Sequence, residues 1–218
     1  VLYAWFGIGS MARKRNIKSV LVFADFTPPE EEKSFIRKLY AKIVKMEFKK
    51  YKKIVLLSEQ SKKYLKPKQE CVNVNGCIEW NNFKDINEPV FEKTINIVYT
   101  GALTNVTGVD LLLRGFIKNK DPQFRLIICE QGHELEESIK KVQEKDKRVI
   151  FKGYVERKEY LEILNKGHIL VNPRNMDFLQ NQNNFPSKIL EYLASGRSIV
   201  STKFRSEERR VGKECRSR

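Results

Sequence analysis

The stretch FPSKILEYLASG combines residue types that suit the binding of an anion beside a sugar. Pro186 fits the first position of a helix, where its missing N–H costs nothing. The amides of Ser187, Lys188 and Ile189 are then expected to be free, and the helix dipole and the lysine charge attract an anion there. Glu191 follows within two turns, and a carboxylate at that position can accept hydrogen bonds from vicinal ribose hydroxyls. This spacing fits a diphosphate linked to a ribose, and a plain amphipathic helix is the alternative.

Other residues that suit ligand binding stand at the ends of predicted strands. Gly101 and Gly132 each separate a strand from a helix, where backbone can approach a ligand closely or simply form a turn. Tyr154 can stack on a base or pack within its own loop. Arg174 directly follows a buried strand. Because a desolvated and unpaired arginine is costly, this position indicates an anion, water or a surface salt bridge.

Short, nearly continuous apolar runs predict the parallel strands that position these residues. The predicted strands are 19–24, 53–57, 71–74, 95–100, 124–129, 149–152, 169–172 and 198–201. The predicted helices between them are 31–50, 59–65, 107–118, 134–145, 157–166 and 186–195. Such alternation is typical of α/β proteins with doubly wound parallel sheets, which bind ligands outside the carboxyl ends of their strands.

A polar stretch that contains Asn-Gly and Pro separates two Rossmann-like units. We expect a truncated unit at 1–79, a linker at 80–94 and a more complete, open-ended unit at 95–204. The opening residues VLYAWFGIG are too short to span a membrane and predict a strand. Residues 205–218 lack apolar periodicity and match, codon by codon, the translation of a common sequencing adapter, which indicates an artefact.

The composition indicates a globular protein, with 41% hydrophobic and 11% aromatic residues among 218. The four cysteines form no Cys-x-x-Cys pair and no Cys/His cluster, which argues against a disulfide framework or zinc site and suits a reducing cytoplasm. The net charge of +15 suits a nucleic acid, an anionic membrane or an anionic substrate. Aromatic residues are not interleaved with the basic clusters, which argues against nucleic acid.

Three segments, YTGAL…GVD, LVNPRN and FPSKILEYLASGRSIVST, together resemble the family 4 glycosyltransferases, especially those of bacterial surface-polysaccharide assembly. The resemblance covers 95–204 and continues more weakly upstream. It implies a two-domain fold of the GT-B type that transfers a hexose-type sugar from a nucleotide diphosphate sugar to a glycan or lipid-linked acceptor. It also implies retention of the anomeric configuration without a metal or other cofactor. A nucleotide-sugar epimerase of the same fold and a basic nucleic-acid-binding protein are the alternatives.

The resemblance assigns roles to individual residues. Glu191 matches the glutamate that holds the ribose, Gly101 the glycine that faces the phosphates, and Arg174 the basic residue after Asn-Pro. The segment 185–188 matches the loop and helix start at the diphosphate and sugar. The predicted catalytic residues are therefore Arg174, Lys188 and Asn183, and the predicted donor-binding residues are Gly101, Gly132, Tyr154, Phe185, Ser187 and Glu191.

Three positions depart from the family pattern. Asn183 stands where the family has its first motif glutamate, Thr107 where a lysine is common, and Glu130 where a glycine is common. Phosphate binding is therefore expected to rest more heavily on Arg174 and Lys188. For Asp25, after the first predicted strand, a helix cap and a catalytic group are both open.

The predicted helix 31–50 has an apolar side and a basic side. The apolar side carries Phe35, Leu39, Ile43 and Met46, and the basic side carries Lys38, Lys42, Lys45 and Lys49 within an arc of about 60°. Such a lysine stripe is either a solvated face or a surface that docks on anionic lipid, at about 1 kcal/mol per lysine. The second interpretation suits a cytoplasmic protein at the inner face of the cytoplasmic membrane.

Overall fold

The protein's structure, a computed structural model, describes residues 7–23, 29–30, 32, 34–74, 76–91, 93–130, 132, 134–178, 181 and 186–202. The predictions for Asp25, Asn183, Phe185 and the segment 205–218 lie outside these residues. The described chain divides into two compact units. One contains the residues up to Cys77 together with Asn181, and the other contains the residues from Ile78 to Phe178 and from Pro186 onward.

The first unit is a parallel sheet with helices between its strands. Its elements are α1 (Ile8–Lys14), β1 (Val20–Phe23), α2 (Phe35–Phe48), β2 (Lys53–Leu56), a 3₁₀ turn (Glu59–Tyr64) and β3 (Glu70–Asn73). Within the described residues the sheet has three strands in the order β1-β2-β3. Its core consists of Phe23, Ala41, Tyr51, Ile54 and Leu56.

Two features of this unit differ from the sequence analysis. The opening apolar run predicts a strand, but its described part enters helix α1 instead, because Gly9 and Ala12 are small, recur at helical spacing and are buried. Helix α2 buries Ala41 and packs Val44 and Phe48 against the core. The predicted apolar side is largely exposed: the exposed fraction is 80% for Phe35, 52% for Leu39 and 56% for Met46.

The second unit carries the longer alternation of strands and helices. Its elements are β4 (Ile95–Thr100), a 3₁₀ turn (Asn105–Thr107), α3 (Val109–Lys118), β5 (Phe124–Cys129), α4 (Glu136–Lys145), β6 (Val149–Gly153), α5 (Arg157–Lys166), β7 (Ile169–Asn172), α6 (Lys188–Ala194) and β8 (Ser198–Ser201). As far as the chain is described, the sheet has five parallel strands in the order β6-β5-β4-β7-β8. The predicted α/β class with parallel sheets is confirmed.

The sheet of the second unit is covered on both faces. One apolar cluster joins Leu113 of α3 and Ile139 of α4 to Leu126 and Ile128 of β5. The other joins Leu164 of α5 and Tyr192 of α6 to the strand residues Val98, Cys129 and Leu170. Two-sided burial explains why these strands have continuous apolar sequences rather than alternating ones.

The segment predicted as a linker is packed onto the second unit. A 3₁₀ turn (Trp80–Phe83) places Phe83 in the core beside α5 and α6. Further along, the N–H of Asn96 donates to Nδ1 of His168 at 2.9 Å, so Nε2 of the neutral ring carries the proton and donates to the Val90 carbonyl at 2.9 Å. His168 is therefore a buried structural residue that fastens this segment to the start of β7.

A buried arginine joins α6 to the end of α5. Arg197 is 6% exposed and follows α6 at the turn into β8. Its guanidinium donates to the carbonyl of Asn165 at 2.8 Å and to that of Leu164 at 3.3 Å, both in the last turn of α5. Burial lowers the pKa of Arg197. The arginine thereby fixes α6 relative to α5.

Candidate functional site

The strand order of the second unit defines where a ligand fits. The chain runs outward from β4 to β5 and β6, then returns to pair β7 with the other side of β4. The connections after β4 and β7 therefore lead to opposite sides of the strand order, towards β5 and towards β8, from the carboxyl ends of two neighbouring strands. In open α/β sheets this reversal point is where ligands bind.

The two loops at this point are in backbone contact. Gly108, just before α3, has φ +73, and a Cβ on it would lie 1.7 Å from the carbonyl oxygen of Pro173. One step further, the N–H of Asn175 donates to the carbonyl of Val106 at 3.2 Å. A residue with a side chain does not fit at position 108 unless the loop after β7 moves. Gly108 thus sets how closely the strand ends approach each other.

Side chains stiffen the loop between β4 and α3. The hydroxyl of Thr107 donates to the Ala102 carbonyl at 2.7 Å, and the N–H of Asn105 donates to Glu134 at 3.3 Å. A Cβ on Gly132 would lie 2.7 Å from the backbone nitrogen of Leu103, so the loop after β5 packs directly on this loop. Thr107 therefore has a structural role here.

Helix α6 is anchored to the end of β4 by a buried tyrosine. The Thr100 N–H donates to the Tyr192 hydroxyl at 3.0 Å, and the hydroxyls of the two residues are also 3.0 Å apart. Both residues are 1% exposed, and burial raises the pKa of Tyr192. The start of α6 is thereby held at the carboxyl end of the sheet, where Gly101 follows Thr100.

The start of α6 differs in detail from the sequence prediction. The helix begins at Lys188, after an exposed Ser187 with helical backbone angles. The N–H of Ile189 donates to the Pro186 carbonyl at 3.0 Å, so this amide, expected to be free, is used within the chain. Pro186 is buried and lies two residues before the helix. Its carbonyl accepts the hydrogen bond of the turn that precedes α6, so it does not occupy the first helical position. The charge of Lys188 is therefore the principal attraction for an anion here.

Lys188 lies between two carboxylates and an aromatic ring. Its Nζ atom is 3.4 Å from Oε2 of Glu191, 3.8 Å from Oε1 of Glu130 and 4.6 Å from the centre of the Tyr160 ring. The three charged side chains are between 26% and 35% exposed, so they are accessible to a ligand yet partly shielded from water. This cluster brings together Lys188 and Glu191, both predicted from the sequence.

Two members of the cluster were missed by sequence reasoning. The Tyr160 hydroxyl donates to Oε2 of Glu191, and burial together with this bond raises the pKa of Tyr160. The guanidinium of Arg157 is 3.9 Å from Oε1 of Glu191 and stacks over the Tyr160 ring at 5.2 Å. Positions 157 and 160 are three residues apart and share one face of α5. This spacing indicates that Arg157 and Tyr160 are neighbours on α5. It does not indicate that both contact Glu191.

Glu130 has an unusual backbone conformation for a residue with a side chain. It follows β5 with φ +113, a region that favours glycine, and its N–H donates to the Gly153 carbonyl at 2.8 Å. Backbone strain of this kind costs about 1–3 kcal/mol and is concentrated at functional sites. The strain therefore coincides with the residue that faces Lys188.

The remaining predicted residues lie at different distances from the switch point. Arg174 follows β7 there, and its positive charge partly opposes the burial that raises the pKa of Tyr99 to about 12. Tyr154 is 63% exposed and follows β6, an edge strand separated from β4 by β5. The structure therefore brings Arg174 to the carboxyl ends of the central strands and leaves Tyr154 at the periphery.

The described ranges contain neither a metal-binding cluster nor a membrane-spanning helix. There, no group of three or more His, Cys, Asp or Glu side chains is arranged to hold a metal ion. None of the described helices combines the length and hydropathy that a membrane crossing needs.

The sequence profile of the family described as glycosyl transferases group 1 matches residues 94–214, more than half of the chain. The chain belongs to this family. The match begins just before β4 and includes the switch-point loops, the Lys188 cluster and β8. It also extends into the segment 205–218. No curated protein sequence matches the chain significantly.

Solved structures of glycosyltransferases share the fold of this group 1 chain. The Anabaena protein HepE in complex with UDP and glucose superposes with a TM-score of 0.72 at 11% identity, over 96% of this chain and 59% of its own. The lipopolysaccharide outer core galactosyltransferase WaaB gives 0.63 at 14%, over 96% and 57%. TarM gives 0.62 at 15%, over 88% and 37%. The chain thus has the parallel α/β architecture of GT-B structures and spans between about a third and three fifths of these proteins.

Proposed function

We propose that the protein transfers a hexose-type sugar from a nucleotide diphosphate sugar to a glycan or lipid-linked acceptor. The observation that carries the proposal is the Lys188–Glu191 pair, which lies 3.4 Å apart on a helix anchored to the end of β4. A cation for phosphate and an acceptor for hydroxyls therefore stand beside the strand reversal. Membership of the group 1 family and the UDP and glucose in the HepE structure support this chemistry.

The diphosphate would be bound by Arg174 and Lys188, together with backbone at Gly101 and Ser187. Charge develops on the diphosphate as the bond to the sugar breaks, and fixed cations lower that barrier. Removal of one such group typically costs a factor of about 10²–10³ in rate. We therefore assign Arg174 and Lys188 as catalytic residues that need no metal ion.

Glu191 would hold the ribose of the donor. Its Oε2 atom accepts from Tyr160, whereas its Oε1 atom is 3.9 Å from the guanidinium of Arg157, a loose ion pair. A carboxylate has about four lone-pair positions, so capacity remains for the vicinal hydroxyls. Tyr160 and Arg157 would then position the carboxylate rather than contact the donor.

Further donor contacts extend the proposal to the rest of the predicted set. Asn183 and Phe185 would contact the sugar, Gly132 would allow backbone close to the phosphates, and Tyr154 would stack at the edge of the nucleotide. For Asp25 a helix cap and a catalytic group both stay open. Retention of the anomeric configuration is proposed from the family resemblance.

The acceptor and the cellular site are proposed from the same family context. WaaB acts in the lipopolysaccharide outer core, which supports a role in bacterial surface-polysaccharide assembly for this chain as well. A lipid-linked acceptor would require a cytoplasmic enzyme that works at the inner face of the cytoplasmic membrane. Nucleic acid is not proposed as a partner.

Helix α2 supplies a surface that suits anionic lipid. Its exposed apolar residues Phe35, Leu39 and Met46 lie on the helix face next to the exposed Lys38 and Lys42. At such a surface the apolar side chains insert into the lipid layer, and each lysine is attracted to the anionic headgroups by about 1 kcal/mol. Co-sedimentation with phosphatidylglycerol vesicles should fall when both lysines become glutamine, and binding that ignores lipid charge or survives high salt would refute this role.

Nucleotide binding tests the donor site. We expect UDP, ADP or GDP to raise the melting temperature, because a ligand at 100 times its Kd stabilises the folded state by about 2.7 kcal/mol. Lys188→Ala should markedly reduce this shift. The matched control is Lys141→Ala, which removes an exposed lysine from α4 on the other face of the sheet. Unchanged nucleotide binding by Lys188→Ala would refute the site.

We further propose that residues 205–218 derive from a sequencing adapter rather than from the gene. Sequencing of the source DNA with adapter-trimmed reads should give different residues after position 204. Recovery of the same fourteen codons would refute this interpretation.

A further inference from the structure

We propose that Glu130 competes with the donor phosphates for Lys188 and so limits how tightly the site binds nucleoside diphosphates. This inference rests on the donor site proposed above. It assigns a role in setting donor affinity to a residue that is neither a phosphate ligand nor a sugar ligand.

The first observation is the geometry of the ion pair. Oε1 of Glu130 lies 3.8 Å from Nζ of Lys188, and the two side chains are 35% and 31% exposed. A phosphate oxygen that accepts a hydrogen bond from Nζ of Lys188 would have to lie close to this carboxylate. The phosphate and Glu130 would therefore compete for the same ammonium group.

The second observation is the backbone of Glu130, which keeps the carboxylate in place. The φ angle of +113 favours glycine, and the N–H is fixed by the Gly153 carbonyl at 2.8 Å. The end of β5 and the carbonyl at the end of β6 hold the backbone on the amino side of this residue, and from there the carboxylate reaches Lys188. A glycine would relieve the strain and also remove the charge, so the structure retains the carboxylate in spite of the conformation.

The inference predicts a dependence on ligand charge that a purely structural role would not produce. Removal of the carboxylate should strengthen binding in proportion to the number of phosphates. The effect should be absent for uridine, small for UMP and largest for UDP. Raised salt should reduce it, because the side chains are partly exposed and screened.

The test is isothermal titration of uridine, UMP, UDP and inorganic pyrophosphate against the wild type and Glu130→Gln. We expect UDP and pyrophosphate to bind about 3- to 10-fold more tightly to Glu130→Gln, and uridine to be unchanged. Glu130→Gly should bind UDP at least as tightly and melt at a higher temperature. Glu137→Gln is the matched control, because it removes an exposed carboxylate from an α4 ion pair and should leave all four affinities unchanged.

The Lys188→Gln background isolates the competition. There, Glu130→Gln should improve UDP binding less than 2-fold, since no lysine is left to release, and an undiminished gain would overturn the proposal. Equal gains for uridine and UDP would also overturn it. If Lys188→Gln weakens UDP binding while Glu130→Gln changes nothing, this inference fails and the donor site stands. If neither UDP nor pyrophosphate binds any variant, both fail.

Discussion

Gly108 and Pro173 approach each other so closely that a Cβ on the glycine would lie 1.7 Å from the proline carbonyl oxygen. The contact joins the loops that follow β4 and β7, the two strands between which the sheet order reverses. The φ angle of Gly108 is +73, a backbone conformation that also favours glycine. The shape of the proposed donor site therefore depends on a residue without a side chain.

Gly108→Ala should strongly destabilise the second unit, by about 2–4 kcal/mol, because it combines a backbone clash with an unfavourable φ. Gly115→Ala is the matched control: this exposed glycine lies inside α3 with no atom within 4 Å of a new Cβ, and the change should stabilise by about 0.5–1 kcal/mol. Urea unfolding of both variants measures the difference. Equal stabilities would show that the loops are not in contact.

Tyr192→Phe should cost about 1–3 kcal/mol, because it removes the hydroxyl that accepts from the buried N–H of Thr100. Tyr154→Phe removes a hydroxyl from a side chain that is 63% exposed, and it should change stability by less than about 0.5 kcal/mol. Denaturant unfolding compares the two variants. A neutral Tyr192→Phe would argue against the hydroxyl as the link between α6 and β4.

Much of the fold could be predicted from the sequence, because each strand of the second unit is a continuous apolar run. The run INIVYT, for example, forms β4 over the residues expected. Of the opening run, only residues 7–9 are described, and they lead into α1 rather than a strand, since apolar content alone does not distinguish a strand from a helix that packs through Gly9 and Ala12. For α2, the helical periodicity correctly places Phe35 and Leu39 on one face. Which face of the helix is buried depends on how it packs on the sheet, and the sequence of the helix alone does not contain that information.

The site was only partly predictable for a related reason. Lys188 and Glu191 are three residues apart on one helix, so their proximity follows from helical spacing. The contacts from Glu130 and Tyr160 join residues that are 58 and 31 positions away in the chain. Such contacts depend on the packing of α5 and β5 against α6, and no local pattern contains that information.

The pair between Asp146 and Arg148 should make stability depend on pH in the acid range. Hydrogen bonds from the Arg148 side chain lower the pKa of Asp146 below its ordinary value of 3.8. The pair therefore contributes stability above that value, and the contribution is lost as the pH falls through the lowered pKa. Asp146→Asn should reduce the melting temperature at pH 7, and this reduction should shrink progressively as the pH is lowered from 4 to 2. A difference that persists unchanged at pH 2 would contradict this account.

The cysteines should differ sharply in reactivity. Burial raises the pKa of Cys129 to about 12, whereas Cys71 and Cys77 are exposed. Because the thiolate is the reactive species, iodoacetamide at pH 8 should label Cys71 and Cys77 in the native protein and Cys129 only after unfolding. Peptide mass spectrometry identifies the labelled sites. Rapid native labelling of Cys129 would mean that β5 is not covered on this face.

The central claim is that a donor diphosphate binds against Lys188 with its ribose on Glu191. A crystal structure of the protein with bound UDP tests this most directly. We expect a phosphate oxygen at hydrogen-bond distance, about 2.7–3.2 Å, from Nζ of Lys188, and the ribose hydroxyls at a similar distance from the Glu191 carboxylate. A UDP molecule bound away from both side chains would contradict the account.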